Sequence, residues 1–211
     1  MTVVGIVPAG GSGERLGADR PKAFVVCAGR PLVEWSLAVL REVCDRVVVA
    51  APEGYDDGPD FVRGGDSRSA SVRNALAAAP EAEIAVVHDA ARPLVTRDLV
   101  ERCIAALEPG IDGAIAAVPM TDTVKEAAPD GRVVRTLDRS PLWSIQTPQV
   151  FRADVLRRAL ERDAAALAAA TDDAALVEEA GGTVRVVEAP PENIKVTRAS
   201  DLRIVEALLA D

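Results

Sequence analysis

VVGIVPAGGSGERLGADRPKAF, spanning Val3 to Phe24, joins a short apolar run to a loop rich in glycine and charge. Val3–Pro8 is a Val/Ile run bounded by turn residues, the pattern of a strand buried on both faces of a parallel sheet. Three more runs of this kind follow, at Val47–Ala51, Ile84–His88 and Ala114–Pro119. Helical periodicity fills the intervals. Leu32, Trp35 and Val39 fall on one helical face, as do Val72, Ala75, Leu76 and Ala79, then Val155, Leu156, Ala159 and Leu160, and finally Leu202, Val205 and Leu209. Strand–helix alternation predicts an α/β doubly wound fold with a largely parallel sheet, formed as a single domain over residues 1–211. Ligands of such sheets sit at the carboxyl ends of the strands. That rule selects the residues after Pro8, after Val87 and after Val118.

One stretch breaks the alternation. Thr121–Arg135 reads TDTVKEAAPDGRVVR, two short β-prone runs around a Pro-Asp-Gly turn, and predicts a hairpin within about residues 121–141. A lone hairpin is marginal in water. It needs a surface to lean on, either a second copy of the chain or its own domain. Further on, Ala164–Ala170 reads as helix. Thr171-Asp172-Asp173 reads as an N-cap with an acidic first turn, and Gly181-Gly182 as the end of that helix.

Composition narrows the function classes. The chain of 211 residues is 49% hydrophobic and 27% charged, as for an ordinary globular domain, with so few aromatics (3%) that Val, Leu, Ile and Ala must build the core. A formal net charge of −9 argues against a nucleic-acid surface. No apolar run approaches the roughly 20 residues of a membrane span. MTVVGIVPAGG has no basic leader, so it reads as a first strand and the expected compartment is cytoplasmic. Cys27, Cys44 and Cys103 are widely spaced and read as buried thiols. With one histidine, a zinc site has no ligand set.

The glycine-rich loop carries the strongest local signal, because backbone N–H groups in such a turn can approach phosphate oxygens. It matches neither common phosphate motif. G-x-G-x-x-G begun at Gly11 meets Leu16 where glycine is required, and Lys22 follows Pro21 rather than a glycine. What remains is G-x-G-x-R, six residues, then Lys22. Arg15 and Lys22 either bracket a triphosphate or stand as solvated loop cations. Asp89 and Arg92 follow the third buried run, where ligands are expected, or else pair with each other. His88 is read as structural.

AGGSGERLG and PKAF resemble the signature of nucleotidyltransferases that activate sugars and polyols. GGDSRSASVRNAL (Gly64–Leu76), VHDAARP (Val87–Pro93), TPQVF (Thr147–Phe151) and ENIKVTRASDL (Glu192–Leu202) narrow the resemblance to the 2-C-methyl-D-erythritol 4-phosphate cytidylyltransferase family of the non-mevalonate isoprenoid pathway. It runs from Val3 to the C-terminus, with no departure at the positions carried over. The resemblance implies transfer of CMP from CTP to 2-C-methyl-D-erythritol 4-phosphate. It implies catalytic roles for Arg15, Lys22 and Lys195. Pro8, Ala9, Gly10, Gly11 and Gly13 would line the nucleotide site, and Gly65, Asp66 and Ser71 would select cytosine. Ser71 also reads as a residue near a helix start. Asp89, Arg92, Thr123, Arg139 and Thr147 would meet the sugar phosphate, with Asp89 near a Mg²⁺ ion or another divalent cation. A homodimer is implied, its arm exchanged so that Arg139 reaches the partner's site. Ribitol 5-phosphate is the alternative acceptor, and a catalytically silent nucleotide-binding subunit the alternative class. A bifunctional form of the family continues into a second synthase domain. This sequence stops soon after its C-terminal helix, so that second activity is not expected.

Overall fold

The computed structural model describes residues 1–17, 19–56 and 58–210, with the backbone alone at Arg15. In chain order the elements are β1 (Val3–Pro8), β2 (Val26–Cys27), β3 (Arg30–Pro31), α1 (Leu32–Val43), β4 (Arg46–Ala51), β5 (Phe61–Arg63), α2 (Arg68–Ala77), β6 (Ile84–Val87), α3 (Arg97–Ala105), β7 (Gly113–Pro119), β8 (Lys125–Ala127), β9 (Val133–Thr136), β10 (Trp143–Arg152), α4 (Ala153–Leu160), α5 (Ala164–Ala169), α6 (Asp173–Glu179), β11 (Val184–Glu188) and α7 (Ala199–Ala210). The four runs read as buried strands are β1, β4, β6 and β7, each within a residue of the predicted bounds.

Seven strands form one sheet in the order β11-β7-β10-β6-β1-β4-β5. All pairs are parallel except those of β10, which runs antiparallel to both β6 and β7. The exception matters for the site. Because β10 points the other way, its first half lies at the edge where β1, β6 and β7 end. Its ladder slips between Ile145 and Gln149.

The pleat sends alternate residues into two cores. Val4, Ile6, Val48, Ala85 and Val87 pack with α2, α4, α5 and α6 on one face. Val7, Val49, Ile84 and Val86 pack with α1 and α3 on the other. Burial on both faces is why these strands read as unbroken apolar runs. In α1 the buried stripe is Leu32, Val33, Ser36, Leu37 and Leu40. The predicted face is therefore rotated: Trp35 and Val39 are only half-buried, and Trp35 Nε1 donates to Cys27 O at 3.0 Å. A third cluster, Cys27, Leu32, Val196 and Val205, fastens α7. All three cysteines are buried, and burial pushes the thiols up to about 11 at Cys27 and about 12 at Cys44 and Cys103.

The hairpin forms as read, with Gly131 at φ 84° in the turn where a left-handed backbone favours glycine. All seven of its strand residues are exposed. Val133 and Val134 stay 61% exposed, so it is not folded back onto its own domain.

Candidate active site

Three segments meet at the carboxyl edge of the sheet. The first is the turn after β1. Pro8, Ala9, Gly10 and Gly11 carry the chain out of the sheet, and Lys22 N–H returns to Gly11 O at 2.9 Å, closing the loop on itself. The second is Gly64–Leu76. Ser67 caps α2 by accepting from Ala70 N–H at 3.1 Å. Gly65 N–H donates to Ser71 Oγ at 3.0 Å, and that hydroxyl donates to Ser67 O at 2.9 Å. Gly65 lies so close to α2 that a Cβ there would come within 2.6 Å of Ala70 Cβ. Only glycine permits that approach.

The third is the meeting of 88–92, 146–149 and 193–195. His88 is fully buried. Its Nε2 lies 3.1 Å from Arg92 O and its Nδ1 3.1 Å from Thr147 Oγ1, which accepts Asp89 N–H at 3.0 Å. Burial pushes the imidazole down to about 4, against the upward pull of the Arg92 carbonyl. Asn193 donates to Gln146 Oε1 at 2.7 Å and Thr147 O at 2.9 Å, and its own carbonyl accepts Arg92 Nη1 at 2.7 Å. Val196 N–H donates to Ala91 O at 2.8 Å. These bonds hold the segment carrying Lys195 over the end of β6.

Two cavities open there. One, about 280 Å³, is lined by Pro8, Ala9, Gly10, Gly11, Lys22, Gly65, Asp66, Ser71, Asp89 and Lys195, among others. The second, about 290 Å³, is lined by residues including Arg92, Gln146, Thr147, Gln149 and Asp172. Arg68, Asp89 and Lys195 line both.

Charge alternates along that shared wall. Lys195 Nζ sits 2.6 Å from Asp89 Oδ2, and Arg68 Nε sits 3.1 Å from Asp89 Oδ1. Arg68 Nη1 bonds Asp173 Oδ2, on a carboxylate with no exposure. Burial alone would raise the Asp89 carboxyl, but Arg68 and Lys195 reverse this and hold it well below the usual carboxylate range. Burial pushes Asp173 up while Arg68 pulls it back. The guanidinium stays charged because Asp173 and Asp89 outweigh its own burial.

The structure thus brings most of the expected residues together and corrects several details. Asp89 does not pair with Arg92; its partners are Arg68 and Lys195, while Arg92 Nη1 donates to Asn193 O. The Ser71 hydroxyl is tied to Ser67 O and Gly65 N–H, so it props the Gly65 loop as well as lining the cavity. Asp172 caps α6 as read, accepting Ala175 N–H at 2.9 Å, and Asp173 is the acidic residue of the first turn as read, with the further role of a buried ion-pair partner to Arg68. Gly13 takes φ 79° at the start of a 3₁₀ turn and is not among the lining residues. Thr123 and Arg139 lie on the arm, where Arg139 Nη1 bonds Thr121 O, and line neither cavity. The Arg15 side chain lies outside the described residues.

Sequence reading gave no site role to Arg68 and did not pair it with Asp173. A signal was present. Arg68 is the first residue of a helix, where the dipole disfavours a cation. A cation placed there needs carboxylates from elsewhere in the fold.

A glycine-rich turn at the end of the first strand, next to a cationic wall shared by two cavities, is the layout of an α/β nucleotidyltransferase. Comparison with known proteins takes the assignment further. Residues 3–211 match the family described as 2-C-methyl-D-erythritol 4-phosphate cytidylyltransferase. Proteins of that name from Rubrobacter xylanophilus and Frankia casuarinae are each 44% identical. The alignments cover 98% of this chain and 94% of the first, and 99% of this chain and 81% of the second. The crystal structure of the Thermus thermophilus enzyme of the same name superposes with a TM-score of 0.85 at 34% identity, over 100% of both chains. The bifunctional IspDF from Campylobacter jejuni matches 96% of this chain over 54% of its own, with TM-score 0.81 and 27% identity. This chain belongs to the 2-C-methyl-D-erythritol 4-phosphate cytidylyltransferase family.

Proposed function

We propose that this chain transfers CMP from CTP to 2-C-methyl-D-erythritol 4-phosphate, releasing pyrophosphate. One observation carries the reading: two neighbouring cavities share a single charged wall of Arg68, Asp89 and Lys195. The nucleotide takes the cavity under the glycine-rich loop, and the polyol phosphate takes the other. The α-phosphorus of CTP then lies near the wall.

A phosphate oxygen of the acceptor attacks the α-phosphorus in line. The bond from phosphorus to the bridging β-oxygen breaks, and pyrophosphate leaves with its electron pair. A phosphate monoester has its second pKa at about 6 and is largely dianionic at neutral pH, so no general base is needed. Catalysis reduces to positioning and charge neutralisation. Lys22 and Lys195 neutralise phosphate oxygens in the nucleotide cavity, and Arg15 joins them by family resemblance. Gly65 and Asp66, with Ser71 as their prop, read the cytosine edge. Arg92 and Thr147 face the acceptor.

No group of three or more metal-ligating side chains occurs among the described residues. Asp89 nonetheless suits a divalent cation, since each of its oxygens keeps a lone pair beyond its ion pair. Mg²⁺ characteristically combines one or two carboxylates with substrate phosphates. Bound by Asp89, it would neutralise charge on the triphosphate.

The working form is a homodimer in the cytoplasm. The arm exposes Val133 and Val134, and nearby β10 exposes Trp143 and Ile145. A partner covering these would bring Thr123 and Arg139 to the opposite site. No described helix is long and apolar enough to cross a membrane.

The test is incubation with CTP, Mg²⁺ and 2-C-methyl-D-erythritol 4-phosphate, following pyrophosphate, with ribitol 5-phosphate in a parallel tube. Release in the first tube alone is expected. Release with ribitol 5-phosphate alone would overturn the acceptor, and silence in both from folded protein would overturn the activity.

A further inference from the structure

The hydrogen bonds around His88 have a direction that can be worked out. Arg92 O is a carbonyl and can only accept, so Nε2 at 3.1 Å must carry a proton. A fully buried ring with no carboxylate bonded to it stays neutral, which leaves Nδ1 bare. The contact between Nδ1 and Thr147 Oγ1, 3.1 Å, therefore runs from the hydroxyl to the ring. Thr147 Oγ1 has thereby used its only proton. It also accepts Asp89 N–H at 3.0 Å, which takes one of its two lone pairs. One lone pair and no proton remain for anything in the cavity that Thr147 lines.

We infer that His88 is a positioning residue that turns the Thr147 hydroxyl proton inward, so that Thr147 offers the second cavity an acceptor, which takes a hydroxyl of the polyol rather than its phosphate. A phosphate dianion has only lone pairs to offer and gains nothing from this oxygen. Swinging the Thr147 proton toward a phosphate would strip the buried Nδ1 of its partner. The polyol phosphate then lies with its phosphate toward the cationic wall and a hydroxyl against Thr147. This assignment rests on the proposed reading of the second cavity as the acceptor site.

Two experiments test it. The chain has a single histidine, so ¹⁵N-histidine labelling gives an unambiguous ring spectrum. Nδ1 is expected to resonate as a bare ring nitrogen and Nε2 as a protonated one. A proton on Nδ1, in either the other tautomer or the imidazolium, would overturn the inference. The second is a cycle of Thr147→Val against acceptor analogues, each lacking one hydroxyl. One analogue should lose about threefold to tenfold in kcat/KM on the parent enzyme, the scale of one neutral hydrogen bond. On that analogue Thr147→Val should cost less than on the full substrate by the same factor. The cost of unpairing Asp89 N–H and Nδ1 is common to all substrates and cancels. An equal cost of Thr147→Val on every analogue is what a phosphate contact or a packing role gives, and would refute the assignment. If the parent turns over no polyol phosphate, the occupant of the cavity is wrong, whereas the tautomer readout decides His88 independently.

Discussion

Replacing Arg68 with methionine tests the charged wall most directly. Methionine keeps much of the aliphatic stem and removes the guanidinium. Asp173 has no exposure and loses its charged partner, while Asp89 keeps Lys195. Breaking a buried ion pair from one side costs about 3–5 kcal/mol, because the remaining charge is left uncompensated. Arg68 is itself 29% exposed, so water screens part of the interaction and the low end applies, about 3 kcal/mol. For a domain of this size each kcal/mol moves Tm by about 2–4 °C, which gives a fall of about 6–12 °C. The assay is thermal unfolding by circular dichroism at neutral pH, with the double variant Arg68→Met/Asp173→Asn alongside. Neutralising Asp173 removes the stranded charge, so the double variant should recover at least half of the lost Tm. Catalysis should not recover, because both cavities have lost a wall residue. An unchanged Tm in Arg68→Met, or a second, additive loss in the double variant, would refute the claim that these charges form one compensated network.

Gly65→Ala would drive a Cβ to 2.6 Å from Ala70 Cβ and 2.8 Å from Ala70 C, costing about 1–3 kcal/mol by overpacking and raising the KM for CTP more than that for the acceptor. Steady-state kinetics with each substrate varied checks this; an unchanged KM for CTP would detach the loop from nucleotide binding. His88 makes stability depend on pH. Folding lowers its pKa from an ordinary value of about 6.5 to about 4, so the unfolded chain binds more protons between those values. About 3 kcal/mol of stability should therefore be lost as pH falls through that window, and urea titrations of His88→Asn in metal-free buffer should lack that slope. With their pKa values pushed to about 11 or 12, Cys27, Cys44 and Cys103 should resist a thiol reagent at pH 8 until the protein unfolds. A rapid reaction of any one in the native protein would contradict its burial.

What the sequence determined by itself was whatever local patterning encodes. Unbroken apolar runs marked β1, β4, β6 and β7, because a strand buried on both faces has no polar side to show. The glycine loop, the strand-end Asp89 and the Pro-Asp-Gly turn were legible for the same reason: each depends on neighbours in the chain. The strings that match the family marked Lys22, Gly65, Thr147 and Lys195 before any contact was known. Tertiary structure alone decided the rest, because ion pairs form between residues remote in sequence. Arg68 meets Asp89 across 21 positions and Asp173 across 105, and Lys195 meets Asp89 across 106. The reversed direction of β10, which delivers Thr147 to His88, likewise has no local signature. Nor does the proton in that bond, whose direction is set by a carbonyl four residues beyond the histidine.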